Sequence, residues 1–115
     1  MTPLEFARAQ KTLRCGCYAL PFAWMREHGV KTVTTDREAR AAWMRLGSVV
    51  GSRFIAARIG LFERETQIGD ILLFEQLAGD ALLGLAMGDG WAVVRSFGVV
   101  AVVRPRPLAS WGFPA

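Results

Sequence analysis

Cys15 and Cys17, one residue apart, and His28, the single histidine, are the residues through which this sequence could do covalent or metal chemistry. A disulfide between two cysteines so close in the chain closes a strained ring, so none is expected. A closed zinc site takes four ligands. The chain offers three soft ones, so Cys15 and Cys17 could hold a metal only with ligands from a second chain, and no cofactor is expected. Nucleophile chemistry suits Cys17 better. It stands at the start of an apolar-periodic segment, where the positive end of a helix dipole lowers a thiol pKa and favours the thiolate. A nucleophilic thiol also needs a base within hydrogen-bond reach, itself oriented by a third group. His28 follows Cys17 by about 11 residues, or ~16 Å at ~1.5 Å per helical residue, which is out of reach. The other reading of Cys15 and Cys17 is two small apolar side chains packed inside.

The remaining polar constellations read as structural. Glu63 and Glu65 have the spacing of a solvated loop pair. Asp70 and Asp80 each follow a glycine and border turns. Gly88-Asp89-Gly90 runs into strand residues and not into a helix, so it is a hairpin turn and not a phosphate cradle.

The elements that must position these residues fall into two halves. Thr2, Pro3 and Glu5 carry the N-cap, first helical residue and third-position Glu of a capping box, opening a helix that ends near Lys11. A second helix is expected from about Cys17, which keeps Pro21 in its first turn, with Leu20, Trp24 and Met25 on a broad apolar face that stops at Gly29. Residues 30–34 form a β-branched connector. Thr35 to Glu38 repeats the capping-box spacing before a third helix with Ala39, Ala42, Trp43 and Leu46 on one side. A fourth is expected over 48–59 with Phe54, Ile55 and Ile59 inward and Gly60 ending it. The pattern then turns to β: 71–74, 82–87, 91–95 and 99–103, separated by Gly-Asp turns and a Gly-rich hairpin. Helices first and strands second predict an α+β fold, N-terminal helices packed on a C-terminal antiparallel β-meander of about four strands. Residues 1–104 would form one domain. Residues 105–115 would form an extended tail, because Pro105, Pro107 and Pro114 discourage pairing. Leu108, Trp111 and Phe113 would then be interface anchors; closure of Trp111 over the chain's own core is the competing reading.

Composition narrows the function classes. Apolar residues make up 52% of the 115 and charged residues 21%, which excludes disorder. The apolar runs are too short for a membrane span, which needs about 18–20 residues. Glu5, Arg8, Lys11 and Arg14 interrupt any early apolar core, so no signal peptide is expected and the chain is expected to stay in the cytoplasm where it is made. The net charge of +4 comes from arginines interleaved with acids, densest at Arg104-Pro105-Arg106. That scatter argues against nucleic-acid binding, which favours a basic stripe.

A cysteine at a helix start, followed by a meander opening on Gly69-Asp70-Ile71-Leu72-Leu73-Phe74, resembles the NlpC-type cell-wall cysteine peptidases, a branch of the papain-like fold. Cys17, Tyr18, Ala19 and Leu20 with Phe22, Ala23 and Trp24, two intervening helices, and the Leu83-Gly84 strand are similar to a divergent group of short phage-encoded relatives found among tail-assembly genes. The resemblance implies a papain-like fold and Cys17 as nucleophile. It also marks what differs: Gly16 stands where the family has Asp, Leu82 where the base His is expected, and Val94 where the third polar residue is expected. Cys17 is on this reading vestigial, and hydrolysis by the chain alone is not expected.

Three functions follow as expectations. The first is a structural or assembly protein of a phage tail tip or hub, a virion component binding other tail proteins and in possible contact with peptidoglycan, on a degenerate peptidase scaffold. The second is an active peptidoglycan-cleaving cysteine amidase or peptidase used in cell entry, with a base supplied by a neighbouring subunit. The third is a basic nucleic-acid-binding protein.

Overall fold

Thr2 opens the first helix. In the computed structural model its hydroxyl accepts the Glu5 backbone N–H at 3.2 Å, and the Glu5 carboxylate accepts the Thr2 N–H at 3.3 Å, closing the capping box on α1 (Pro3–Ala9). The structure describes residues 1–10, 18–31, 36–75, 81–96 and 98–113. The second helix, α2 (Ala19–Glu27), takes Tyr18 as its N-cap, so Pro21 does lie in its first turn. Gly29 ends it at φ +81, the left-handed conformation that suits a helix stop. The start expected at Cys17 lies outside the described residues, as do Cys15, Gly16, Thr35 and Asp80.

Helices α3 (Asp36–Leu46) and α4 (Ser48–Arg58) form a hairpin about Gly47. Gly51 makes their close packing possible: a Cβ there would stand 2.7 Å from Trp43 Cα and 3.0 Å from the Ala42 carbonyl. Ala39, Ala42, Ile55 and Ile59 are buried as expected. Phe54 and Leu46 are not. Both are exposed, because the α3–α4 hairpin presents only one edge to the core and these side chains fall on its outer side.

Six strands, not about four, follow: β1 (Phe62–Glu63), β2 (Ile71–Glu75), β3 (Ala81–Gly88), β4 (Trp91–Ser96), β5 (Val99–Val103) and β6 (Pro107–Gly112). They form one antiparallel sheet in the order β1-β6-β2-β3-β4-β5. The expected meander is its β2–β5 portion. The β3–β4 hairpin turns on Asp89 (φ 56) and Gly90 (φ 83). Two consecutive positive φ values make the type I′ turn that matches strand twist.

The main correction is the C-terminal segment. Residues 107–112 are an interior strand between β1 and β2, not an extended tail, so the division at residue 104 does not describe the chain. Pro105 and Pro107 allow this because they sit where no ladder N–H is needed. Pro105 precedes the strand and Pro107 is its first residue, beside a bulge at Leu108 where β6 has one residue more than β2; Pro114 lies outside the described residues. Trp111 is accordingly buried at 4% exposure, closing over the chain's own core.

Strand alternation builds two apolar layers. Ile71, Leu73, Leu83, Leu85, Val93, Ala109 and Trp111 face the helices and pack with Phe6, Leu20, Phe22, Trp24 and Met25. Leu72, Phe74, Ala86, Ala92 and Val94 face the other way and form a second cluster with Leu82, Ala101 and Val103. Among the described residues this second cluster is made by strand side chains alone. Gly84 lets it close: a Cβ there would meet Val94 Cγ1 at 2.9 Å and the Phe74 ring at 3.3 Å. No helix of the described chain is long and apolar enough to cross a membrane.

Candidate functional site

The site expected around Cys17 would be assembled from the start of α2 and the helix-facing side of β3 and β4. Tyr18, next in the chain, is buried, with its ring edge-on to Trp43 at 4.6 Å. The buried strand side chains on that side are Ala81, Leu83 and Leu85 from β3 and Val93 from β4, packed in the main core with the helices. None can accept a proton. Arg95 is the next residue on that side of β4, and its guanidinium donates to the Gln10 carbonyl at the end of α1.

Leu82 and Val94, the positions where the family resemblance places the base and the third polar group, lie on the opposite side of the sheet. Leu82 pairs with Phe74 and Val94 with Ala101, both within the second apolar cluster. His28 caps the C-terminus of α2. Its Nδ1 donates to the Trp24 carbonyl at 2.8 Å, and its ring lies against Trp24 at 4.1 Å and Phe113 at 5.9 Å. It thus serves as an end-of-helix donor. Of the expected anchors, Leu108 is exposed at 40%, Phe113 is half-buried against His28, and Trp111 is in the core.

The densest polar arrangement is instead the turn before β2. Asp70 is buried, and its carboxylate accepts Arg64 Nη2 at 2.5 Å and Arg64 Nε at 3.0 Å, a fork-to-fork pair, with the Gln67 backbone N–H at 3.0 Å as third donor. The Asp70 hydrogen bond stabilises the charged guanidinium and raises the Arg64 pKa above the ordinary arginine value. Gly69, at φ +91, presents its carbonyl to Trp24 Nε1 at 2.8 Å, and a Cβ on it would meet the indole at 3.2 Å. The Gly69-Asp70 pair is therefore held on both sides, by an indole from α2 and a guanidinium from the β1–β2 loop. Sequence reading placed the turn but missed Arg64 as partner; a buried Asp after a Gly turn needs a donor, and Arg64 is the nearest preceding cation.

Comparison of the chain with protein-family models, with curated proteins and with solved structures gives no match.

An open groove of about 420 Å³ runs along β6 and is lined by Glu63, Arg64, Leu108 and Ser110 among others. Its polar groups are mutually engaged. Arg53 bonds Glu63 Oε1 at 3.0 Å and the Leu108 carbonyl at 3.3 Å, and Thr66 bonds the Ser110 hydroxyl at 2.9 Å. Glu65 is exposed in the same loop. Among the described residues no three of His, Cys, Asp and Glu are grouped so as to hold a metal ion. Of the pair Arg104-Arg106, the Arg104 guanidinium lies 5.8 Å over the Trp91 ring.

Proposed function

We propose that this chain is a structural or assembly component of a phage tail tip or hub, built on a cysteine-peptidase-like scaffold that has lost its catalytic groups. One observation supports the non-catalytic part of this reading: the buried β3 and β4 side chains on the helix side of the sheet, Ala81, Leu83, Leu85 and Val93, are all apolar. General-base assistance is typically worth ~10²–10⁴ in rate, and none of these side chains can supply it to a thiol. The phage-tail part is supported by the resemblance of the sequence to short tail-assembly relatives. On this reading the chain is made in the host cytoplasm and carried into the virion by other tail proteins, with Cys17 a remnant.

Two measurements test it. The purified chain, incubated with muropeptides, is expected to release no product; turnover that vanishes in Cys17→Ser would establish the peptidoglycan-cleaving reading instead. Mass spectrometry of purified tails is expected to find the chain, and tail assembly is expected to stall when it is missing. Normal tails assembled without it would refute the assembly role.

A further inference from the structure

The two edges of the sheet are built differently. The β1 edge is blunted: the strand has two residues, and beyond it the β6 carbonyls are covered, that of Ser110 by the Arg64 backbone N–H at 3.1 Å and that of Leu108 by the Arg53 guanidinium. These are the devices by which edge strands avoid pairing with other chains. Among the described residues the β5 edge has none of them. Its five residues, Val-Val-Ala-Val-Val, include no charge and no proline, and among the described residues no strand lies beyond it. Val99 is 63% exposed, Val102 42%, and Trp91 on the adjacent strand 42%.

The register shows which main-chain groups have no ladder partner among the described residues. The two-residue turn Asp89-Gly90 makes Gly88 and Trp91 a hydrogen-bonded pair. Trp91, Val93 and Arg95 therefore direct their N–H and C=O groups to β3, and Ala92, Val94 and Ser96 direct theirs to β5. Because Val94 pairs with Ala101, residues 99, 101 and 103 are satisfied by β4. Val100 and Val102 point their N–H and C=O groups outward.

We propose that β5 is a homodimerisation strand, pairing antiparallel with β5 of a second copy about a two-fold axis through Ala101. Three features select a second copy as occupant. The strand reads the same in both directions, so a two-fold at its centre sets Val99 opposite Val103, Val100 opposite Val102, and Ala101 opposite itself. The free groups have the right parity: Val100 and Val102 of the two copies become hydrogen-bonded pairs, and Ala101 falls at the close, non-hydrogen-bonded position, where Cα atoms approach to about 4.5 Å and a small side chain fits. Charge is also compatible, since each Arg104 falls opposite Gly98 of the other copy and the like charges stand at opposite ends of the interface. The result is an isologous contact that joins two six-stranded sheets into one. It rests on strand geometry alone and is independent of the assembly role proposed above.

The test uses the full chain. Sedimentation equilibrium is expected to show a species of twice the 12.6 kDa chain mass. In a Cys15→Ser/Cys17→Ser background, Ala101→Cys is expected to form an intermolecular disulfide under mild oxidation, since the paired Cα atoms fall in the disulfide range; Val99→Cys, which faces Val103 of the other copy, is expected not to. Val100→Glu/Val102→Glu sets like charges opposite each other and is expected to give monomers, whereas Val100→Lys/Val102→Glu sets opposite charges and is expected to restore the dimer. Far-UV circular dichroism reports whether each variant folds; if the double-Glu chain does not, the cysteine pair and the Lys/Glu variant decide. A wild-type chain that is monomeric at every concentration overturns the proposal, as does a dimer that cross-links through Val99→Cys as readily as through Ala101→Cys.

Discussion

Replacing Arg64 with Met would leave the Asp70 carboxylate, 1% exposed, with the Gln67 N–H as its one remaining donor among the described residues. Breaking a buried ion pair by removing one partner costs ~3–5 kcal/mol, because the other charge stays buried and unpaired. The Arg64 side chain keeps 34% of its surface in water, so solvent screens the pair, and the expected cost is ~2–3 kcal/mol. Unfolding entropy of about 2.1 cal/mol/K per residue gives ~0.24 kcal/mol/K for a chain of this length. The melting temperature of Arg64→Met should therefore fall by ~8–12 °C in a thermal melt followed by circular dichroism. The decisive comparison is the double variant Arg64→Met/Asp70→Asn. A neutral amide can still accept from Gln67 but carries no charge to strand, so it should recover about half of the loss or more. A double variant no more stable than Arg64→Met would refute the argument that stranded charge is what destabilises. Gly112→Ala perturbs the same pair from another side, since its Cβ would meet Arg64 Nε at 2.5 Å and the Phe62 ring at 2.8 Å. Its cost should shrink when Arg64 is already Met.

Other expectations follow from single contacts. Trp24→Ala should destabilise by ~3–5 kcal/mol, since the ring is buried and edge-on to Phe6; Trp24→Phe, which keeps most of the volume but strands the Gly69 carbonyl, should cost ~1–3 kcal/mol in a denaturant titration. Thr2→Ala should cost ~1 kcal/mol through loss of the N-cap. The Thr2 hydrogen bonds hold the Glu5 carboxyl below its ordinary pKa, so that contribution is present above the usual glutamate range and is lost as pH falls through the lowered value; stability–pH curves should show this acid-side loss in the wild type and a smaller one in Thr2→Ala, which keeps the backbone N–H donor to Glu5. Deleting residues 105–115 removes a strand paired with both β1 and β2 and the buried Trp111, and should abolish the cooperative thermal transition.

The fold was legible in the sequence where local chemistry and tertiary demand agree. Thr2-Pro3-x-Glu5 specifies its own helix start through bonds within four residues, and Asp89-Gly90 specifies a hairpin through its positive φ values. The strands 71–75, 81–88, 91–96 and 99–103 join by short connections to their sequence neighbours, so period and turn signals suffice. What was not legible depends on partners far along the chain. Prolines at 105, 107 and 114 count against a strand only if their N–H groups are needed; whether they are is decided by β1 and β2, more than thirty residues away for the Phe74–Pro107 pair. Burial of Phe54 against exposure was likewise set by how the α3–α4 hairpin leans on the sheet, which helical period alone does not define.

The site was harder to read for a reason of periodicity. In a strand, moving one residue along moves a side chain to the other face, so aligning a short apolar motif with an error of one position exchanges the functional side for the far side. Gly69-Asp70 and Leu83-Gly84 are such motifs. Aligned on them, the residue standing in for the base is Leu82, yet β3 turns Leu83 toward α2 and Leu82 toward Phe74. The same holds for β4, where Val93 faces the helices and Val94 faces Ala101. Putting histidine at position 82 would bury an imidazole in a layer of Phe74, Val94 and Ala101 and bring it no nearer to the start of α2. A base on the α2 side would need position 83 or 85, where leucines at 7% and 0% exposure are part of the main core. Placing an acid–base group on that side thus conflicts with the packing of the main core. A single substitution there cannot both supply a proton acceptor and keep the leucine's packing.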